Sequence, residues 1–444
     1  MRYIPNTDSD RDEMLKVIGV DRFDALIRDI PPELVLRGPL ALPPAASEFD
    51  LTAELGKMAE SDADASKYAC FLGGGAYDHF IPSVVSHLAS RSEFVTSYTP
   101  YQAEVSQGTL QATFEYQSMV CELTGMGAAN ASMYDGASAM AEAALMAQRI
   151  TKRGEVAVST AVHPNYRAVL KTYMRGIKSA VFENPYLPGV GTTDLDSLAA
   201  DITENTACII IQYPNFFGCI EDLAAAADIA HAKGALLVVV ADPVALGLLK
   251  SPGESGADIV VGEGQSLGKS LSFGGPYLGL LACREEHVRQ MPGRVVGETR
   301  DVKGNKGYVL TLQTREQHIK RERATSNICT NEALVALTSS VYLSAMGREG
   351  LRQAGELCVR KSHYALETLL AGSGVKPEFS APFFKEFVLS VKGGVARLDR
   401  RLLKKGIVGG LDLGVYYPEL EGRVLIAVTE KRTKSEIDAL AGVL

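Results

Sequence analysis

The sequence predicts an α/β protein, a mostly parallel, doubly wound sheet followed by a smaller α+β domain. Three observations predict it. Two short apolar runs, 235–241 and 259–261, are rich in β-branched residues and read as buried strands of a parallel sheet. Between residues 130 and 330 such runs alternate with helix-forming stretches, and polar residues follow each strand. From about Thr330 the pattern changes to long helical stretches and two strands, FFKEFVLSV and VLIAVTE.

Residues 1–60 read as a helical segment partly separate from the core. Asp8, Ser9 and Asp10 precede DRDEMLKVIG, an acidic first turn that Gly19 stops. DRFDALIRDI is a second short helix up to Pro31 and Pro32. LRGPLALPPAA crosses a surface as a linker, and LTAELGKMAESDA is a third helix. Residues 61–330 form the large α/β domain. In it, QGTLQATFEYQSMVCELTGM is an amphipathic helix with Leu110, Phe114, Gln117, Cys121 and Thr124 at helical spacing. EVAVSTAVHPNYRAVLKTYMRG is a strand, a turn and a helix. TACIIIQYPNFFG is another strand, and DLAAAADIAHAKGA leads as a helix into the run at 235–241. The charged stretch 284–330 reads as a solvated helix or loop. Its alternative use is recognition of an anion or another subunit by Arg315, His318, Arg321 and Arg323. Residues 331–444 form the small α+β domain, whose last helix opens on a capping box, Thr433 with Glu436.

Several polar residues stand where an open α/β sheet binds ligands, at the carboxyl ends of its strands. Asp242 ends the run at 235–241. It serves either a turn or N-cap, or the pyridinium nitrogen of a pyridoxal phosphate (PLP) ring. Asp135, Gly136, Ala137 and Ser138 precede a strong helix-forming run, which suits an N-cap or an anion site. His163 sits in the turn where a side chain would stack on such a ring; otherwise it is a capping or surface histidine. The expected lysine is missing: Gln265 and Ser266 follow the second run, and Lys269 comes later in a Gly/Ser-rich loop. The loop Tyr98, Thr99, Pro100, Tyr101, Gln102, with Glu104 and Gln107, is more aromatic and polar than packing alone requires. The glycines of FLGGGAYDHFIP, ahead of Tyr77, Asp78 and His79, permit close backbone approach.

Composition bounds the function class. The 444 residues are long enough for two domains; 46% hydrophobic and 22% charged content are ordinary for a soluble protein. A net charge of −8 argues against a polyanionic partner such as nucleic acid. Seven scattered cysteines with no C-x-x-C pair predict reduced thiols in a cytoplasmic protein. MRYIPNTDSDRDEM carries no apolar signal region, and no metal site is expected.

Three long stretches carry a resemblance: SYTPYQAEVSQGTLQATFEYQSMVCELTGM at 97–126, ANASMYDGASAMAEA at 129–143, and QTREQHIKRERATSNICTNEAL at 313–334. ADPVALGLLKSPGESGADIVVGEGQS at 241–266 shares the layout. On these the chain resembles the glycine-cleavage P-protein family, glycine decarboxylase, over essentially its whole length. Within that family it is similar to the N-terminal, or α, chain of the form split into two.

The resemblance implies a fold-type I PLP-enzyme fold and aminomethyl-transferring, decarboxylating glycine dehydrogenase activity within a complex. It implies a β subunit that holds PLP through a lysine, in an α2β2 assembly. Glycine is then decarboxylated and its aminomethyl group passes to the lipoyl arm of H-protein. In this chain Gln265 and Ser266 stand at the lysine position. Ser138, His163 and Asp242 are therefore expected to be relics of a duplicated cofactor site. The loop at 98–107 is expected to complete the partner's site, shaping the glycine pocket, excluding water and guiding the lipoyl arm. Two other readings compete: a structural subunit that only stabilises its partner, and an autonomous enzyme that uses Lys269.

Overall fold

The computed structural model describes residues 5–177, 179–328, 330–372 and 374–444. Two compact units divide the chain, one ending at Asp62 and one spanning Ala63–Leu444. The first unit has two helices, Asp8–Ile18 and Glu48–Ala59. Thr7 and Asp10 close a capping box at the start of the first, and Gly19 ends it in the left-handed region at φ 87°. Between them the expected second helix reduces to a single 3-10 turn, Phe23–Ala25. The unit leaves Val17, Phe23, Leu34, Leu36 and Phe49 exposed.

The second unit is built on a seven-stranded sheet. Its strands are β1 (Ala128–Ala129), β2 (Glu155–Ser159), β3 (Ala180–Asn184), β4 (Thr206–Tyr213), β5 (Leu236–Ala241), β6 (Ile259–Glu263) and β7 (Gly279–Cys283). The order is β1-β7-β6-β5-β4-β2-β3. The neighbours from β6 to β3 run parallel, whereas β7 is antiparallel to both β6 and β1. Both faces are buried, and successive residues serve opposite cores. Cys208, Ile210, Val238 and Val240 pack with Met140, Ala143 and Ala147 of helix Gly136–Thr151. Ile209, Ile211, Leu237 and Val239 pack with Tyr116 and Val120 of helix Gln107–Thr124 and with Ala226 of helix Leu223–Ala232.

Within the charged stretch after β7, Val295–Arg300 and Lys306–Thr311 form an antiparallel hairpin that the sequence did not announce, while the rest is short helical turns, such as Gln317–Lys320, and loop. Helix Ala333–Gly372 follows, broken at Gly347. It leads to a four-stranded antiparallel sheet, in the order Lys376–Pro377, Glu386–Ser390, Arg423–Ala427, Leu411–Asp412. Helices Val395–Leu403 and Lys434–Ala441 cover it with Leu398, Leu402, Ile437 and Leu440. Strand Ala69–Cys70 pairs in parallel with Ile407–Val408, and Phe71 O accepts the Ala427 N–H at 2.9 Å, tying the glycine-rich loop to the small sheet. Six of the seven cysteines are free thiols; Cys329 lies outside the described residues. No described helix is long and apolar enough to cross a membrane.

Candidate functional site

The carboxyl end of β5 delivers Asp242, as the sequence predicts, but a side chain of this chain already holds it. Lys385, 1% exposed, enters from the start of strand Glu386–Ser390 and places Nζ 2.7 Å from Asp242 Oδ2. The ammonium lies 3.4 Å from the centre of the Tyr77 ring and 3.0 Å from His79 Nε2. An ammonium only donates, so Nε2 accepts and His79 carries its hydrogen on Nδ1. That hydrogen points to Glu430 Oε2 at 2.6 Å. A buried row therefore runs Asp242, Lys385, His79, Glu430, with the neutral His79 ring relaying between the Lys385 ammonium and the Glu430 carboxylate. Burial pushes the Asp242 carboxyl up, but Lys385 outweighs it and holds the group below its ordinary value. Glu430 likewise sits at about 2, against burial, because of His79 and the Phe80 N–H. Cys358 adjoins this end, and His79, Cys358 and Glu430 lie within 4.8 Å of one another. The Lys385 ammonium already supplies the positive charge there, which disfavours a metal cation.

The helix N-terminus at the other end is also occupied from within. Asp135 Oδ1 accepts the Ser138 N–H at 2.7 Å, and Ser138 Oγ accepts the Asp135 N–H at 3.2 Å, a capping box. The Gly136 N–H goes to Glu263 Oε2 at 3.1 Å. Glu263 ends β6, and its Oε1 takes the N–H groups of Gln265 (3.0 Å) and Leu278 (2.9 Å). A protein carboxylate thus stands where an anionic ligand would meet these N–H groups. Burial raises the Glu263 carboxyl to about 7, against those three donors and helped by Asp135.

This shift has a testable sign. An unfolded glutamate titrates near 4.3, so between there and about 7 the folded chain holds the extra proton. That contribution to stability is complete below about 4.3 and is lost as pH rises through about 7. Glu263→Gln keeps the shape and cannot ionise. Its melting temperature relative to the native chain should climb between pH 4.5 and 7 and level off above 8, by roughly 1–3 kcal/mol in stability. Thermal melts across that range measure it, and a constant difference would refute the assignment.

The remaining predicted positions are structural too. His163 stacks on Tyr166, centroids 4.7 Å apart at 16°. Its Nε2 donates to Gly74 O at 2.8 Å and its Nδ1 accepts the Asn165 N–H at 3.1 Å, so the ring is neutral; burial lowers its pKa to about 4. Gln265 exchanges two hydrogen bonds with the Tyr77 backbone, at 2.9 and 3.0 Å, and fastens the glycine-rich loop. Ser266 is buried. The space left among His163, Tyr166, Asp242, Glu263 and Ser266 is about 30 Å³. That is room for about one or two waters, and pockets for cofactor-sized ligands start near 300 Å³. These residues do not fit PLP. Lys269 does not line this space.

A second, open pocket of about 240 Å³ lies under the aromatic loop. Tyr98, Thr99 and Pro100 line it together with Arg294, Asn331 and Glu332. Tyr98 is 85% exposed, and Tyr101, half-exposed, lies under the Arg294 guanidinium at 5.5 Å with its ring edge near His318. Gln102 and Glu104 are exposed. Gln107 instead bonds both the N–H and the carbonyl of Tyr308, each at 2.9 Å, and clips the loop to the hairpin. Arg315 bonds Gly293 O at 3.0 Å, beside Arg294, whereas Arg321 and Arg323 are exposed. The sequence reading missed Lys385, Glu263 and Arg294. A lysine and a glutamate inside the aromatic strand FFKEF were the one local sign of a buried charge.

A mostly parallel sheet of this kind, with an acid at its ligand-binding edge, is the architecture of fold-type I PLP enzymes. The chain is similar in fold to sphingosine-1-phosphate lyase of Burkholderia pseudomallei K96243, with a TM-score of 0.66 at 16% identity over 93% of each chain. A crystal structure of glycine decarboxylase (P-protein) of the glycine cleavage system, in inhibitor-bound form, is much more similar. Its TM-score is 0.89 at 44% identity, covering 100% of this chain and 99% of that one. Over residues 1–444 the sequence matches the glycine cleavage system P-protein family, and the chain belongs to it. Relatives called probable glycine dehydrogenase (decarboxylating) subunit 1 are 56% identical in Desulforamulus reducens and 53% in Geobacillus kaustophilus. They cover 99% and 98% of this chain, and 98% and 97% of their own lengths.

Proposed function

We propose that this chain is subunit 1 of a two-subunit glycine dehydrogenase (decarboxylating), and that the second subunit holds PLP. One observation carries the reading: Lys385 and Glu263 fill this chain's own cofactor position, while the loop at 98–102 stays exposed over an open pocket. PLP supplies the electron sink for loss of carbon dioxide from glycine. This chain contributes the wall. Tyr98, Thr99, Pro100, Tyr101 and Gln102 shape the glycine pocket, exclude water and guide the lipoyl arm of H-protein, with Glu104 and Gln107 in support. The exposed apolar residues of the N-terminal unit suit burial against the partner, in an α2β2 complex in the cytoplasm. The domain division at about 60 and 330 belongs to the same proposal.

The test is reconstitution with the second subunit, followed by glycine- and H-protein-dependent carbon dioxide exchange. Each chain alone should be inactive and the mixture active. Tyr98→Phe and Tyr101→Phe remove a hydroxyl and keep the ring, so assembly should survive. Loss of a hydroxyl that orients substrate should cost roughly 1–3 kcal/mol, about ten- to a hundredfold in kcat/KM. Native kinetics from both variants and from Gln102→Ala would leave a scaffold only. A pyridoxyl group fixed on Lys269 after borohydride reduction of the isolated chain would favour an autonomous enzyme.

A further inference from the structure

We propose that Arg294 seats the carboxylate of glycine at the partner subunit's site, an inference that rests on the loop at 98–102 walling that site. Arg294 precedes strand Val295–Arg300 and is 8% exposed. Its guanidinium has donors and no acceptors, and what meets them is poor. Nη1 lies 3.4 Å from Asn331 Oδ1 and Nη2 lies 3.3 Å from the Tyr101 hydroxyl, both neutral groups at long range. Nε is buried with no acceptor at all. Among the described residues no carboxylate pairs with it. Arg432, similarly buried, has both Asp78 and Glu436. A buried cation without a counter-ion is strongly disfavoured, and a planar fork of donors matches the two oxygens of a carboxylate.

Position supports the assignment. Arg294 lines the pocket of about 240 Å³ beneath Tyr98, Thr99 and Pro100. That volume is ample for an amino acid as small as glycine. The one carboxyl on the lining is Glu332, which burial pushes up first and Asp135 next, with Lys269 opposing. The pair formed by Arg294 belongs to bound glycine and is lost as the carboxylate departs. It therefore strengthens substrate binding without lowering the chemical barrier.

The experiment uses the reconstituted complex with Arg294→Gln, Arg294→Lys and Tyr101→Phe. Arg294→Gln should raise the KM for glycine about tenfold or more, with the loss falling on KM and not on kcat. Equilibrium dialysis of labelled glycine should show the same factor in Kd, and Arg294→Lys should recover part of it. Sedimentation checks assembly. A native KM and Kd for Arg294→Gln overturns the inference. So does weaker assembly with an unchanged KM, which would assign Arg294 to a carboxylate side chain of the partner. If Tyr101→Phe impairs turnover while Arg294→Gln does not, this inference alone fails. If Tyr98→Phe and Tyr101→Phe are both native, the reading of the loop fails first.

Discussion

Lys385→Met is expected to cost about 3–5 kcal/mol of folding stability, because it strands a buried carboxylate. The native ammonium touches Asp242 at 2.7 Å and His79 at 3.0 Å, with 2% of the Lys385 side chain and 13% of the Asp242 side chain exposed. Methionine fills most of the volume, so the cavity term is small and the electrostatic term dominates. Asp242 must then stay charged without a partner or take a proton. Adding Asp242→Asn removes the stranded charge, and the double variant should recover at least half of the loss. Urea unfolding with an unchanged slope measures both. A loss below about 1 kcal/mol from the single variant would mean that solvent, and not Lys385, neutralises Asp242.

What the sequence revealed and what it hid have physical reasons. The strands β4, β5 and β6 were legible because both sheet faces are buried, which writes β-branched runs without alternation. The antiparallel β7 was not. GLLAC is as apolar as its neighbours, and only the connection decides its direction. Residues 264–278 contain no crossover helix, so the chain returns antiparallel. The hairpin at 295–311 was hidden by its charges. Its turn is made by Asp301, whose Oδ1 accepts the N–H groups of Lys303 and Asn305 at 2.8 Å each. Asp242 follows β5, and His163 and Ser138 stand at helix starts, as the local pattern reads. Their partners came from far along the chain: Lys385 for Asp242, Glu263 for the N-terminus of the helix that carries Ser138. No local spacing encodes such pairs. For the same reason a missing lysine was readable, whereas Lys385 and Glu263 as partners of these groups were not.

If the second subunit holds PLP, as proposed, these contacts give that division of labour a physical basis. Glu263 offers carboxyl oxygens to the helix N-terminus and Lys385 offers a cation to Asp242, and on the proposed reading these are the two places where PLP would present its phosphate and its ring nitrogen. Simply losing the Schiff-base lysine would leave both as unsatisfied buried groups. The Lys385–Asp242 pair fastens the large sheet to the strand Glu386–Ser390.

The same fastening predicts that Gly218→Ala costs about 3 kcal/mol or more. Gly218 has φ +87°, and a Cβ there would overlap the Glu386 carbonyl oxygen, which belongs to backbone and cannot rotate away. The turn that carries it is clipped to the segment before that strand from several sides. Gly218 O accepts the Phe384 N–H at 3.2 Å, and Ile220 N donates to Pro382 O at 2.8 Å. Cys219 bridges Phe383. Relieving the overlap therefore moves the residues that hold Lys385 against Asp242. Gly189→Ala is the control, since Gly189 has φ +72° with nothing near its Cβ position. It should cost only about 1–2 kcal/mol for the left-handed backbone. Equal losses from the two variants would show that the overlap is absorbed locally. If the overlap acts through Lys385, Gly218→Ala combined with Lys385→Met should destabilise by less than the sum of the two single changes.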